Sequence, residues 1–255
     1  MFLVIRCFLF IILTISCDLH SDTEKKPSID LLFLTSKEGE QYHDADIRLY
    51  FRDPDVDFGH SKTFLYCKDF PINTKMTFST KRPLEKRASY KENYKFFVRE
   101  QGFMILPIDP KNTHRFFCIS SRGFLPGERV LCRFSGKNLK IDTSFFPNPI
   151  KVFTSTKTAF IEAELLTIVP AFYRFFFTGF QENEILNFIS ISGEEKIEKT
   201  FTLTPKNFIV SSPDIIGKLG GVGTVTFTRK SGEKIQLHLP WGIDFIDYRK
   251  GEKIY

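Results

Sequence analysis

Two glutamates in this sequence, Glu162 and Glu164, have the spacing and type that could do acid–base chemistry. Cleaving a glycosidic bond needs two carboxyl groups facing each other across about 5–9.5 Å. Residues two apart on a strand project from one face instead, so this pair reads as a polar sheet face. Asp53, Asp55 and Asp57 alternate before Gly59 as the ligands of a calcium loop do. The glycine falls one place late and Phe64 stands where the bidentate glutamate belongs, so an Asx-rich turn is expected. His20, His43, His60, His114 and His238 share no ligand spacing with one another or with cysteine. No metal or other cofactor is expected. Gly217-Lys-Leu-Gly-Gly-Val-Gly-Thr224 invites comparison with a phosphate loop, but Leu219 follows Lys218 where Ser or Thr is needed. A strand rather than a helix follows these glycines, which points to a tight turn or bulge.

Ser231-Gly-Glu-Lys234 matches the Ser-x-x-Lys of penicillin-recognising enzymes. In that family the serine opens a helix and Ser-Asp-Asn and Lys-Thr-Gly complete the site. Both are missing here and the serine falls in a hairpin turn, so no catalytic residue is assigned. Cys67, Cys118 and Cys132 are an odd set of thiols for an oxidising compartment. Cys118 and Cys132 fall on consecutive strands and are the expected disulfide, worth roughly 3 kcal/mol for a loop of about 15 residues. Reduced core cysteines are the alternative.

The elements that would carry these residues begin after an N-terminal export segment. In Met1–Cys17 the only charge is Arg6, and Cys7–Ile15 is unbroken apolar chain. Nine residues make roughly 14 Å of helix, far short of the 20 residues that span a bilayer. A charged-then-apolar segment ending in small residues has the form of an export signal. Thr14-Ile-Ser-Cys17 resembles the lipobox of bacterial lipoproteins, in which the chain is cut before the cysteine and the thiol is lipidated. That family usually has Leu, Val or Ile where Thr14 stands; Thr14-x-Ser16 also fits ordinary signal cleavage. The resemblance implies residues 1–16 as signal peptide and Cys17 as lipid carrier. Residues 17–30 are polar and too poor in apolar side chains to pack, as a tether would be. The implied location is the cell envelope on a lipid anchor, with soluble periplasmic or secreted protein as the alternative.

The formal net charge of +6 becomes +5 once Arg6 is removed with the signal. Much of the excess lies between Lys81 and Lys95, where six basic residues face two acidic ones. Lys81, Arg82, Lys86, Arg87 and Lys91 are the expected contacts to an anionic envelope partner. Export argues against nucleic acid. The same stretch contains the one expected helix, Pro83–Tyr94, with Pro at its first position.

Elsewhere the hydrophobic period is two. Val225 and Phe227 alternate with Thr, and Ile235, Leu237 and Leu239 alternate with Gln and His, around Ser231-Gly232. That is a β-hairpin signature. Strands are also expected at Ile47–Phe51, Phe96–Arg99, Ile150–Thr156, Phe160–Ile168, Phe201–Thr204 and Phe208–Ser211. Thirty phenylalanines against one tryptophan suit half-buried pleated surfaces. One pattern recurs three times: an aromatic strand turns through Phe70, Phe124 or Phe180 and a second strand starts four residues later. The three phenylalanines fall at nearly even intervals along the chain, as an internal repeat would set them. The fold class is therefore all-β, with tandem small immunoglobulin-like sandwiches at 31–110, 111–169 and 170–247, and a tail at 248–255. The middle span is short for such a sandwich, so two larger domains are the alternative.

A non-catalytic binding or structural scaffold in the envelope is the function expected. The alternatives are a periplasmic chaperone that binds client strands along an open edge and an enzyme whose site has no recognised motif. Expected partners are the membrane, through the lipid, and an envelope protein or anionic polymer.

Overall fold

The computed structural model of the protein describes residues 27–52, 61–85, 90–99, 102–105, 116–204 and 209–245. Period-two alternation becomes strand nearly everywhere it was expected, and the class is all-β. Among the described residues two short helices accompany the strands: α1 (Ser36–Glu40) and α2 (Ala45–Arg52). The chain forms two compact units. The first takes residues up to Thr80 together with Tyr90–Ser120 and Cys132–Phe145; the second takes Lys81–Ser89, Ser121–Leu131 and everything from Phe146.

The first unit is built from β1 (Ser28–Leu34), β2 (Lys62–Lys68), β3 (Lys75–Lys81), β4 (Lys91–Val98), β5 (Met104–Ile105), β6 (Cys118–Ser120), β7 (Val130–Ser135) and β8 (Lys140–Phe145). One sheet has the order β1-β2-β6 and the other β5-β4-β3-β7-β8. The second unit holds β9 (Ile150–Phe153), β10 (Phe160–Ile168), β11 (Ala171–Thr178), β12 (Ile185–Ser192), β13 (Glu195–Thr202), β14 (Ile209–Ser211), β15 (Gly220–Arg229) and β16 (Lys234–Gly242). Its sheets run β14-β11-β10-β9 and β13-β12-β15-β16. The inner faces of these two sheets share a core that includes Ile161, Tyr173, Phe175, Phe188, Phe227 and Leu237.

Lettered in chain order, β10, β11, β12, β13, β14, β15 and β16 are A, B, C, C′, E, F and G of an immunoglobulin-like Greek key. The first unit repeats that order with β1, β2, β3, β4, β6, β7 and β8. The extra strands are β5 outside C′ and β9 outside A. The two B–C turns match position for position. Positive φ falls at Asp69 and Asn73 in one and, at the same offset, at Gly179 and Asn183 in the other. Asn73 N–H donates to Val98 O and Asn183 N–H to Leu203 O, both at 2.9 Å. The Phe70 and Phe180 motifs are thus the same crossover. The Phe124 motif is a different one, joining E to F (β6 to β7), so the interval between neighbouring motifs is half of a longer repeat. Residues 111–169, expected as a middle module, send strands to three sheets: β6 enters the sheet of β2, β7 and β8 that of β3, and β9 and β10 that of β11.

The cores repeat as well. On strands C, C′ and F the first unit places Phe78, Phe96 and Phe134, and the second places Phe188, Phe201 and Phe227. Phe78 and Phe134 have centroids 4.9 Å apart and Phe188 and Phe227 5.4 Å apart. The C′–F pairs, Phe96–Phe134 and Phe201–Phe227, lie at 6.2 and 6.1 Å.

Two sequence expectations are corrected. Ile47–Phe51 is not a strand but lies in α2. Asp44 Oδ1 accepts the Ile47 N–H at 3.1 Å as an N-cap would, and Ile47 and Phe51, four apart, are buried on one face. Pro83–Tyr94 is not a helix. Pro83 to Glu85 form a turn, with Glu85 N–H donating to Arg82 O, and Lys91 onward is β4, which buries Phe96 and Val98. Pairing with β3 overrides the helix start that Pro83 offered.

Phe227 touches Phe175, Phe177, Phe188 and Phe201. Phe227→Ala is expected to cost about 3–5 kcal/mol in urea unfolding, and Phe134→Ala a similar amount in the first unit. Losses under about 1 kcal/mol at both sites would show that these clusters do not hold the sandwiches together.

Candidate binding site

Of the basic residues singled out above, Lys81 closes β3, Arg82 begins the turn after it, and Lys91 opens β4. Lys86 and Arg87 lie outside the described residues, as do Cys17 and the turn expected at Asp53, Asp55 and Asp57. Arg82 is a structural residue rather than a surface cation. Its guanidinium donates Nε to Glu128 Oε1 at 2.7 Å and Nη2 to Glu128 Oε2 at 2.6 Å. Nη2 also reaches Gly123 O at 3.1 Å, and the group stacks 4.6 Å from the Phe124 ring. Glu128 is buried, and its Oε2 also accepts the Leu125 N–H at 2.9 Å. Burial works against the charged guanidinium, but the bonds and charge of Glu128 outweigh it and hold its pKa above the ordinary value. The partners are far apart in sequence, so composition alone offers no signal of the pair.

This pair lines a groove of about 780 Å³ together with Pro83, Leu84, Glu85, Gly123 and the stretch from Leu166 to Val169. A register shift in β10 between Leu165 and Thr167 sets Leu166 out of alternation at its wall. Leu84, Leu166, Ile168 and Val169 give the groove apolar walls, and the Glu85 carboxylate among them lies 3.6 Å from Arg82 Nη1.

Glu162 and Glu164 do share the outer face of β10, as their spacing implied. Glu164 is buried and takes Arg174 Nε at 2.9 Å, with Arg129 Nη1 3.6 Å away. Glu162 lies opposite Lys151 across β9–β10. Burial raises the Glu162 carboxyl above its usual range, against the pull of Lys151, and lowers the Lys151 amine against the pull of Glu162. These carboxylates stand side by side on one strand and do not flank a cleft. Thr224 Oγ1 lies 3.4 Å from His238 Nδ1 on an exposed surface, and His238 Nε2 faces Gln236. An amide there cannot support an imidazolium as an orienting carboxylate does.

Of the glycines expected in a turn, Gly217 alone takes a positive φ, while Gly220, Gly221 and Gly223 lie within β15 and are explained by close approach. A Cβ on Gly223 would lie 2.6 Å from Pro213 Cβ, and one on Gly220 2.7 Å from the Ile243 nitrogen. Trp241 is buried beside Gly221 and presents no stacking platform. Among the described residues no group of three or more His, Cys, Asp or Glu side chains could hold a metal.

The expected Cys118–Cys132 disulfide is replaced by free thiols at Cys67, Cys118 and Cys132. β6 and β7 follow each other in the chain but enter different sheets. Cys118 Sγ meets Tyr50 OH at 3.0 Å instead. Burial pushes the Cys67 thiol up to about 12 and raises Cys118 and Cys132 as well, which keeps all three as protonated thiols.

No protein-family model and no curated protein matches this chain. Among solved structures, a tetra-tandem repeat in the extending region of a large adhesion protein is similar to it, at 11% identity over 86% of this chain with a TM-score of 0.24. This chain spans 50% of that structure.

Breaking a buried ion pair by removing one partner costs about 3–5 kcal/mol. Arg82→Ser is therefore expected to lower unfolding free energy by about 3 kcal/mol, whereas Lys81→Ser should stay within about 0.5 kcal/mol. Equal, small effects in urea titrations would reduce the Arg82–Glu128 pair to an ordinary surface contact.

Proposed function

We propose that this chain is an exported envelope protein, anchored through a lipid on Cys17, whose tandem immunoglobulin-like modules act as a non-catalytic binding scaffold. The observation that carries the proposal is duplication. One strand order and one aromatic cluster are built twice, which is how a chain sets out spaced binding surfaces rather than a single reaction centre. The charged groups buried in the second unit support the same reading, since Glu128 and Glu164 are both engaged by arginines. Among the described residues no helix is long and apolar enough to cross a membrane. A client-strand chaperone is less favoured by the C′ edge of the second unit. That edge strand, β13, carries Glu195, Lys196, Glu198 and Lys199, and charges along an edge discourage strand addition.

Two measurements test the proposal. Radiolabelled palmitate should enter the wild-type protein and be absent from Cys17→Ser, which should shift to the soluble fraction. Equal labelling of both proteins would remove the anchor. For the partner, Lys81, Lys86, Arg87 and Lys91 are replaced together by Ser, leaving Arg82 in its pair with Glu128. Retention on an anionic envelope polymer should fall in this variant, and wild-type retention should fall with salt, because exposed charges are screened over about 8–10 Å. Unchanged retention across the salt series would make the segment an ordinary solvated surface.

A further inference from the structure

The internal repeat allows one sheet face to be compared with its counterpart, and the two are finished differently. In the first unit, the long connection from β1 to β2 includes α1 and α2. These helices cover the outer face of the A-B-E sheet. Tyr50 and Phe51 of α2 each lie 5.7 Å from the Phe64 ring on β2, and Tyr50 OH meets Cys118 on β6. Phe64 is fully buried as a result. Gly39 of α1 is packed so closely on Phe51 that a Cβ there would overlap the ring. In the second unit β10 and β11 are joined by a tight turn, Val169-Pro170.

Position for position, Lys62, Phe64 and Tyr66 of β2 become Phe172, Arg174 and Phe176 of β11, and Cys118, opposite Phe64, becomes Val210, opposite Arg174. Phe172 is 38% exposed, Phe176 37% and Val210 41%. Phe153 of β9, on the same outer face, is 42% exposed. The Arg174 guanidinium lies 5.0 Å over the Phe176 ring. Lys151 and Arg129 are the other cations on this face, against Glu162 and Glu164, three charges to two. Around Glu164 the cations stand outermost: the Arg129 and Arg174 side chains are 39% and 27% exposed and that of Glu164 is 7%.

We infer that the outer face of β11 and β14 is a docking site for a single acidic amphipathic segment of a partner protein, seated where α2 sits in the first unit. It rests on the binding-scaffold reading and supplies that reading with a surface and a partner chemistry. Size selects the occupant. A fully exposed Phe presents about 200 Å², so the four apolar side chains offer on the order of 300 Å². A stable interface with a second copy needs about 800 Å² per partner, far more than these side chains offer, which favours a single short segment. Charge selects the composition, because aromatic or aliphatic anchors between Phe172 and Phe176 bring flanking carboxylates towards Arg174, Arg129 and Lys151.

The experiment uses the full chain and a fluorescent peptide of its own residues 35–52, carrying Arg48→Glu and Arg52→Glu. These changes take the peptide from a formal −1 to −5. A second peptide adds Tyr50→Ser and Phe51→Ser. Fluorescence anisotropy should show the first peptide binding at least about tenfold more tightly than the second. Affinity for it should fall by a similar factor in the Phe172→Ser/Phe176→Ser protein, whose circular dichroism should match wild type because both side chains face outward. Equal affinity for wild type and variant would overturn the inference and place the peptide elsewhere, the first unit included. No binding to wild type would overturn it too. Retention on anionic polymer in that second case would leave the scaffold proposal standing while this face falls.

Discussion

The contact between a phenylalanine on strand C and one on strand F is the constraint on which both units depend. Phe78 meets Phe134 in one and Phe188 meets Phe227 in the other. Strands C and F are neighbours in one sheet but far apart in sequence, so this ring pair fixes their register and the Greek-key crossing between them. A third ring from C′ completes each cluster from the side. Aromatic pairs at these separations add about 0.5–1.5 kcal/mol beyond the area they bury. With the rings set, a one-residue slip of either strand would turn its whole apolar face outward. The abundance of Phe in this chain thus has a geometric use: two sandwiches are filled by the same ring arrangement.

Charge is handled by a second rule. Glu128 and Glu164 are buried, and each is met by arginine from another segment, Arg82 for the first and Arg174 for the second. A desolvated carboxylate left alone would take up a proton or open the fold. A guanidinium offers five donors in a planar fork and can satisfy two oxygens together. The excess of basic residues around Arg82 is therefore not all available to a ligand. Part of it belongs to the interior.

The difference between the units lies outside their cores. Both have the same seven strands, yet the A–B connection of one holds two helices and that of the other is a tight turn. The helices roof a face of Leu32, Phe64, Tyr66 and Cys118. The bare counterpart bears an ion pair at its centre with phenylalanines around it. An insertion between A and B leaves the core rings untouched, so repeated modules can diverge there without losing the sandwich.

How much of this was legible beforehand follows from the range of each interaction. Strand positions were local: alternation located β10 to the residue and the β15–β16 hairpin with its Ser231-Gly232 turn, because period two is imposed by the pleat itself. The two B–C turns were legible as a repeated motif for the same reason, since left-handed residues at fixed offsets shape them. That Glu162 and Glu164 share one sheet face also needed only strand geometry, whereas the burial of Glu164 under arginine did not follow from it. Interactions that cross the chain were not legible. The Phe124 motif resembles its neighbours locally and differs only in which strands it joins. Ile47–Phe51 is apolar enough for a strand, and the sheet face it covers made it a helix. Cys118 and Cys132 are near in sequence and separated by sheet assignment. Arg82 carries no local mark of its distant carboxylate, Glu128. Backbone periodicity is written residue by residue, so the sequence alone determined the all-β class and most strands. Which strands share a sheet, which charges are buried and which face is roofed depend on contacts between distant segments, and only the tertiary structure decided them.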